Sequence, residues 1–125
     1  MSFKTRSIRE SFRCAICGLT DAWRSERNMR IHSAATVLAV VAGLWLRLDK
    51  VEWLFLFSAI FLVITMEMLN TALERVVDLF TREYHPLARL AKNAAAGAAL
   101  LAALYALIVA LLIFLPRLLE IINIF

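Results

Sequence analysis

Three observations predict an all-α membrane protein, an amino-terminal amphipathic surface helix followed by three transmembrane helices. Of the 125 residues, 62% are hydrophobic and 19% charged, against roughly 45–50% and about 25% in a soluble domain. The apolar residues gather in three runs separated by short charged groups. The segment before those runs is basic and two-faced at helical spacing. So little polar surface could not cover a soluble globule, and disorder needs the opposite composition. The length leaves no room for a second domain.

The surface helix is expected over about residues 5–24. Ile8, Phe12, Ala15, Ile16, Leu19 and Trp23 fall within about 100° of one another on a helical wheel. Arg6, Arg9, Arg13 and Arg24 gather on a neighbouring stripe, the pattern of a helix lying in the membrane interface. A soluble helix over a small core is the alternative, but the rest of the chain offers no such core. No unbroken apolar region or A-x-A-like site marks a cleavable signal peptide. Cys14 and Cys17 form a CxxC without two further ligands nearby, so on the polar side of this helix they read as reduced thiols, with a redox or metal pair as the alternative.

The first transmembrane helix is expected over about 29–48. Its apolar run, Ile31 to Leu46, ends at Arg47, Asp49, Lys50 and Glu52, with Trp45 and Trp53 placed as an aromatic belt. The second covers about 51–80, apolar from Trp53 to Met66 and extended towards the cytoplasm. The third covers about 88–115. Its core, Ala94 to Leu115, has 22 residues without a charge, enough for a hydrocarbon layer of about 30 Å. Pro116 and Arg117 are expected to stop it, and Gly97 among Ala94, Ala95, Ala96, Ala98 and Ala99 gives it a narrow face for close packing.

Of 14 basic residues, seven precede His32 and four (Arg75, Arg82, Arg89, Lys92) lie between the second and third runs. The amino terminus and that loop are therefore expected in the cytoplasm, and the carboxy terminus outside. The formal charge of +4 suits anionic headgroups, and no nucleic-acid partner is expected.

Glu67, Asn70, Glu74 and Asp78 carry the chemistry. Their spacing i, i+3, i+7 and i+11 places them within about 80° of each other on a helix. Carboxylates so close to hydrocarbon are costly unless they share a cation or proton. Magnesium suits them, since it takes carboxylate oxygens together with substrate phosphates. The bland alternative is a solvated helix end paired with Arg75 and Arg82. Glu26 lies at the same membrane face, where it could complete a metal site or occupy the first turn of a helix capped by Ser25. Lys92 and Asn93 open the third span there, and a lysine could reach a polyphosphate. No Gly-rich phosphate loop is present.

Glu67-Met68-Leu69-Asn70-Thr71-Ala72-Leu73-Glu74-Arg75-Val76-Val77-Asp78 resembles the signature of the small bacterial integral-membrane diacylglycerol kinases. Glu26-Arg27-Asn28-Met29-Arg30-Ile31-His32 and Glu83-Tyr84-His85-Pro86-Leu87-Ala88 resemble the branch with the undecaprenol kinases of Gram-positive bacteria. The resemblance runs from about Ser11 to Pro116.

The resemblance implies a homotrimer with active sites shared between subunits at the cytoplasmic surface of the bacterial cell membrane. It implies transfer of the ATP γ-phosphoryl group to a membrane lipid hydroxyl, with undecaprenol the expected acceptor and diacylglycerol the alternative. Glu67 would be the general base and Asn70 would help fix its geometry. Glu26 and Glu74 would hold Mg2+ on the ATP phosphates, and Lys92 would neutralise phosphate charge. Asp78, Glu83, His85 and Asn93 would form the nucleotide end. The family usually has Lys-Asp where this chain has Lys92-Asn93, which keeps the shape and removes a negative charge. It often has an aromatic residue where Cys14 stands. An impaired, lipid-binding family member and a small ion or proton pathway are the other classes these residues allow.

Overall fold

The computed structural model describes residues 6–124, and the expected helix start near residue 5 lies outside them. Four helices account for nearly all of that chain: α1 (Ile8–Ser25), α2 (Arg27–Trp45), α3 (Lys50–Phe80) and α4 (Pro86–Ile124). The all-α expectation holds.

α1 begins at a capping box. The Glu10 N–H donates to Ser7 Oγ (3.2 Å) and the Ser7 N–H to Glu10 Oε2 (3.1 Å), which satisfies two otherwise unpaired donors. Its buried residue is Ala22. Ile8, Phe12, Ile16, Leu19 and Trp23 are all exposed, as a face reserved for a non-aqueous neighbour would be. Cys14 and Cys17 are exposed and unpaired.

A single extended residue, Glu26 (φ −107°, ψ 119°), separates α1 from α2 and caps both. Ser25 is the last residue of α1, so it does not cap α2 as the sequence suggested. Arg30 braces this corner from α2, donating to the carbonyls of Trp23 (3.2 Å) and Arg24 (2.8 Å).

α2 closes with a Schellman turn: the Leu48 N–H reaches back to the Gly43 carbonyl (3.2 Å) across Arg47, which takes a left-handed conformation at φ 54°. Gly43 is required there. A Cβ on it would meet the Trp53 ring at 2.8 Å and Leu48 Cδ1 at 3.0 Å. Trp53 is therefore turned into the turn and stacked on Phe57, with centroids 5.3 Å apart. Only Trp45 stands out as the expected belt residue, being 71% exposed.

α3 starts at a second capping box, Asp49 with Glu52. Its buried residues, Leu56, Ala59, Val63, Glu67 and Thr71, recur every three or four positions and form one stripe. That stripe packs on α4, which returns antiparallel after the short connection at residues 81–85. The apolar core, built on Leu48, Leu56, Ala59, Val109 and Ile113, sits at the end of the bundle opposite the acids.

α4 does not stop at Pro116 but runs through it to Ile124. A proline removes one rung of the helical ladder, yet the helix continues, and the residue that follows it is anchored to the turn between α2 and α3. The Arg117 guanidinium grips the Glu52 carboxylate with two nitrogens and the Leu46 carbonyl with a third (3.1 Å). Apolar Leu118, Leu119, Ile121 and Ile122 then continue the helix. The close packing expected at Gly97 is not made within the chain, since a Cβ there would meet nothing within 4 Å.

The accessible surface is 10018 Å², whereas a compact soluble monomer of this size exposes about 6,800 Å². Nearly all of the large apolar side chains left exposed are leucine, isoleucine, valine or phenylalanine. α3 and α4 are both long and apolar enough to cross a membrane. At about 1.5 Å per residue the 31-residue α3 outreaches a hydrocarbon core of about 30 Å, so its acid-bearing turns can project beyond it. This is an all-α membrane protein.

Candidate active site

The stripe that begins as apolar core in α3 ends as carboxylates. Glu67, only 7% exposed, continues the row of Leu56, Ala59 and Val63, so a chargeable group stands where helix packing would accept a leucine. Ionised, such a group needs a partner. His32 on α2 supplies one, with Nε2 3.3 Å from Glu67 Oε1. Both line a cleft of about 340 Å³ together with Asn28 and Asn70, walled on α4 by Ala96, Ala99, Leu100 and Ala103. Small residues on α4 keep this cleft open.

Asn70 lies one turn beyond Glu67. Its amide donates to Glu74 Oε1 (3.3 Å), while its buried Oδ1 has no partner. A buried amide oxygen left unpaired is uncommon and costly. Glu74 itself is half-buried. Its neighbour Arg75 donates to Ser25 Oγ (2.9 Å) and Ser25 Oγ to Glu26 Oε1 (3.4 Å), which ties this turn of α3 to the α1–α2 corner where Glu26 sits. Arg75 is thus engaged by a hydroxyl and not by the stripe acids.

A second cleft, of about 240 Å³, opens beside the α3–α4 connection and gathers Asp78, Glu83, His85, Lys92 and Asn93. Lys92 Nζ donates to Asp78 Oδ1 at 2.6 Å. Thr81 Oγ1 folds the connection by bonding both the N–H and the carbonyl of Glu83 (3.2 Å each). His85 Nδ1 accepts the Leu87 N–H (3.2 Å) and caps α4, while Pro86 takes the first helical position, where no N–H is missed. Arg82, Tyr84 and Arg89 also line this cleft. Two guanidinium groups and a lysine around one mouth favour a polyanion.

The nine sequence-selected residues therefore divide. Glu67 and Asn70 share the first cleft, five residues share the second, and Glu74 and Glu26 stand at the joint between helices. His32, Asn28, Arg82 and Arg89 are additions. Arg82 and Arg89 could have been found from loop charge, but His32 lies 35 residues from Glu67 and no spacing rule links them.

Among the described residues, no three His, Cys, Asp or Glu side chains are grouped to hold a metal ion by themselves. Magnesium does not need that: it usually takes one or two carboxylates, water and substrate phosphate oxygens. The Glu74 carboxylate and the unpartnered Asn70 Oδ1 are donors of the hard-oxygen kind it uses.

Comparison with known proteins agrees with this chemistry. The profile of the family described as prokaryotic diacylglycerol kinase matches residues 13–114. The undecaprenol kinase of Bacillus subtilis is 43% identical over 109 residues, 87% of this chain and 89% of that one. A diacylglycerol kinase of Synechocystis is 44% identical over 112 residues, 89% of this chain and 64% of that one. The Escherichia coli diacylglycerol kinase is 41% identical over 84 residues, 67% of this chain and 69% of that one. The chain belongs to the prokaryotic diacylglycerol kinase family and is a lipid kinase of a bacterial membrane.

Proposed function

We propose that this kinase transfers the γ-phosphoryl group of ATP to the hydroxyl of undecaprenol at the cytoplasmic face of the cell membrane. The observation that carries the reading is Glu67: a buried carboxylate at the junction of apolar stripe and acid stripe, facing an open cleft. The 43% identity to an undecaprenol kinase over 89% of that protein favours this acceptor. Relatives named diacylglycerol kinase keep diacylglycerol as the second reading.

Glu67 takes the acceptor's proton as its oxygen attacks phosphorus. A carboxylate suits the task because the hydroxyl becomes acidic only as that bond forms. Asn70 holds Glu74 in place and presents Oδ1. Lys92, Arg82 and Arg89 would lie along the polyphosphate, and His85 and Glu83 would shape the nucleotide end. Magnesium, held by Glu74 and Glu26, would neutralise phosphate charge when bound. Such a reaction needs mainly positioning and charge neutralisation, which four helices can supply.

α2 would be the third span. At about 28 Å for 19 residues it is marginal, and Arg27, Asn28, Arg30 and His32 occupy its first turns. Those turns would lie in the headgroup region, with the amino terminus inside and the carboxy terminus outside. The exposed apolar faces and the open side at Gly97 support a homotrimer that completes each site between subunits.

The test is a phosphorylation assay with labelled ATP and both lipids, with and without magnesium. Faster magnesium-dependent labelling of undecaprenol is expected, and labelling of diacylglycerol alone would reverse the assignment. Glu67→Gln should lower kcat by a factor of roughly 100 or more. The same assay on Asn93→Asp measures what the missing charge costs.

A further inference from the structure

The partner that the structure gives the Glu67 carboxylate is the His32 imidazole, Nε2 to Oε1 at 3.3 Å. An ionised carboxylate only accepts hydrogen bonds, so the contact requires a proton on Nε2. We infer that His32 is the positioning residue of the base: it fixes Oε1 by donation and leaves Oε2 to take the acceptor's proton. This inference rests on the reading of Glu67 as the general base.

A glutamate on a helix has three rotatable bonds, and a base that wanders loses the alignment on which its rate depends. The His32–Glu67 bond joins α2 to α3 and removes that freedom. A neutral imidazole orients the carboxylate without neutralising it.

Competing charges around the pair are engaged elsewhere. The cleft lining of Asn28, Asn70, Ala96, Ala99 and Leu100 carries no ionisable group, and no α1 side chain contributes to it. On α2, Arg30 is bonded to the Trp23 and Arg24 carbonyls. On α3, the next acid is Glu74, bonded to Asn70. On α4, Lys92 is paired with Asp78. In the transfer itself, the acceptor oxygen bonds to the γ-phosphorus, the bond from that phosphorus to the bridging oxygen breaks, and ADP leaves. The hydroxyl proton goes to Glu67 Oε2.

The test compares His32→Leu, which cannot donate, with His32→Gln, which donates but cannot gain a proton. His32→Leu should lower kcat roughly tenfold or more with KM for ATP unchanged. His32→Gln should recover most of that rate, because its side-chain amide still donates to the carboxylate. Equal rates in all three proteins, or a glutamine variant as slow as the leucine one, overturns the inference. An inactive Glu67→Gln beside an unaffected His32→Leu sinks only the positioning role, whereas an active Glu67→Gln sinks the base. Should His32→Leu fail to fold, ring 15N spectra give the answer, because the chain has two histidines and His85→Asn leaves one. Glu67→Gln must then move the His32 ring signals, and an unmoved spectrum rejects the pair.

Discussion

Arg117 and Glu52, 65 residues apart, lock the far end of the bundle to the turn between α2 and α3. Arg117 Nε donates to Glu52 Oε2 at 3.2 Å, and a terminal nitrogen of the same guanidinium takes Oε1. Its remaining arm satisfies the Leu46 carbonyl at the end of α2, one of the acceptors that helix geometry leaves unpaired. With side chains 30% and 21% exposed, the pair is neither a surface contact nor a fully buried one. Arg117→Leu should therefore lower unfolding stability in detergent by about 1–3 kcal/mol, since it strands both an acid and a carbonyl. Lipid kinase kcat should stay near wild type, because the active-site clefts are at the other end. Chemical unfolding followed by circular dichroism, with Glu52→Gln and the double variant, gives the coupling energy.

Gly43 marks the same turn by contact rather than charge. A methyl group there would sit 2.8 Å from the Trp53 ring and 3.0 Å from Leu48, distances at which something must move. Trp53 is held by its stack on Phe57, so the strain cannot be relieved by a flexible chain end. Gly43→Ala should destabilise by about 1–3 kcal/mol. Arg47, at φ 54°, calls for the opposite change: Arg47→Gly should stabilise by about 1 kcal/mol, since only glycine takes that conformation without steric cost. A melting series on the two variants checks both signs.

Asp49 supplies a pH dependence outside the spans. The Glu52 backbone N–H it accepts as N-cap of α3, followed by the Glu52 side chain, holds its carboxyl below the ordinary aspartate range. A carboxyl that ionises more readily folded than unfolded contributes stability that is complete above its unfolded value. That contribution disappears as pH falls through the lower, folded value. Against Asp49→Asn, which keeps the cap without the charge, the wild type should therefore lose part of its advantage below about pH 4. Unfolding midpoints between pH 2 and 7 would show the two curves converging on the acid side, and parallel curves would contradict it.

Much of this was legible in the chain because it is local. Glu67, Asn70, Glu74 and Asp78 share a face through helical spacing alone. The two capping boxes, Ser7–Glu10 and Asp49–Glu52, first seen in the structure, are equally local, and what lay beyond the sequence depends on distance or on compensation. His32 meets Glu67 across two helices, and Lys92 meets Asp78 across the α3–α4 hairpin. Pro116 reads as a stop because it removes a rung, yet the following Arg117 is anchored to Glu52 and the helix carries on. Trp53 looks like a belt residue by position and is instead drawn in by the space that Gly43 leaves.

Lys92 and Asp78 bear most directly on nucleotide binding. Their contact of 2.6 Å joins side chains 39% and 45% exposed, so screening leaves it worth little to the fold, typically under about 1 kcal/mol. Its value lies in what it stores. The ammonium is kept at the mouth of the cleft that also holds Arg82 and Arg89, and a polyphosphate with several negative charges can outcompete a single carboxylate for it. Lys92→Met should raise KM for ATP by about 10- to 100-fold, the loss of one charge-assisted bond of about 1.5–3 kcal/mol, with little change in melting temperature. Asp78→Asn frees the lysine and removes a repelling charge, so KM for ATP should fall or hold while stability again moves little. Steady-state kinetics across an ATP series for both variants decides it: a large melting change with an unmoved KM would make the pair a structural clamp instead.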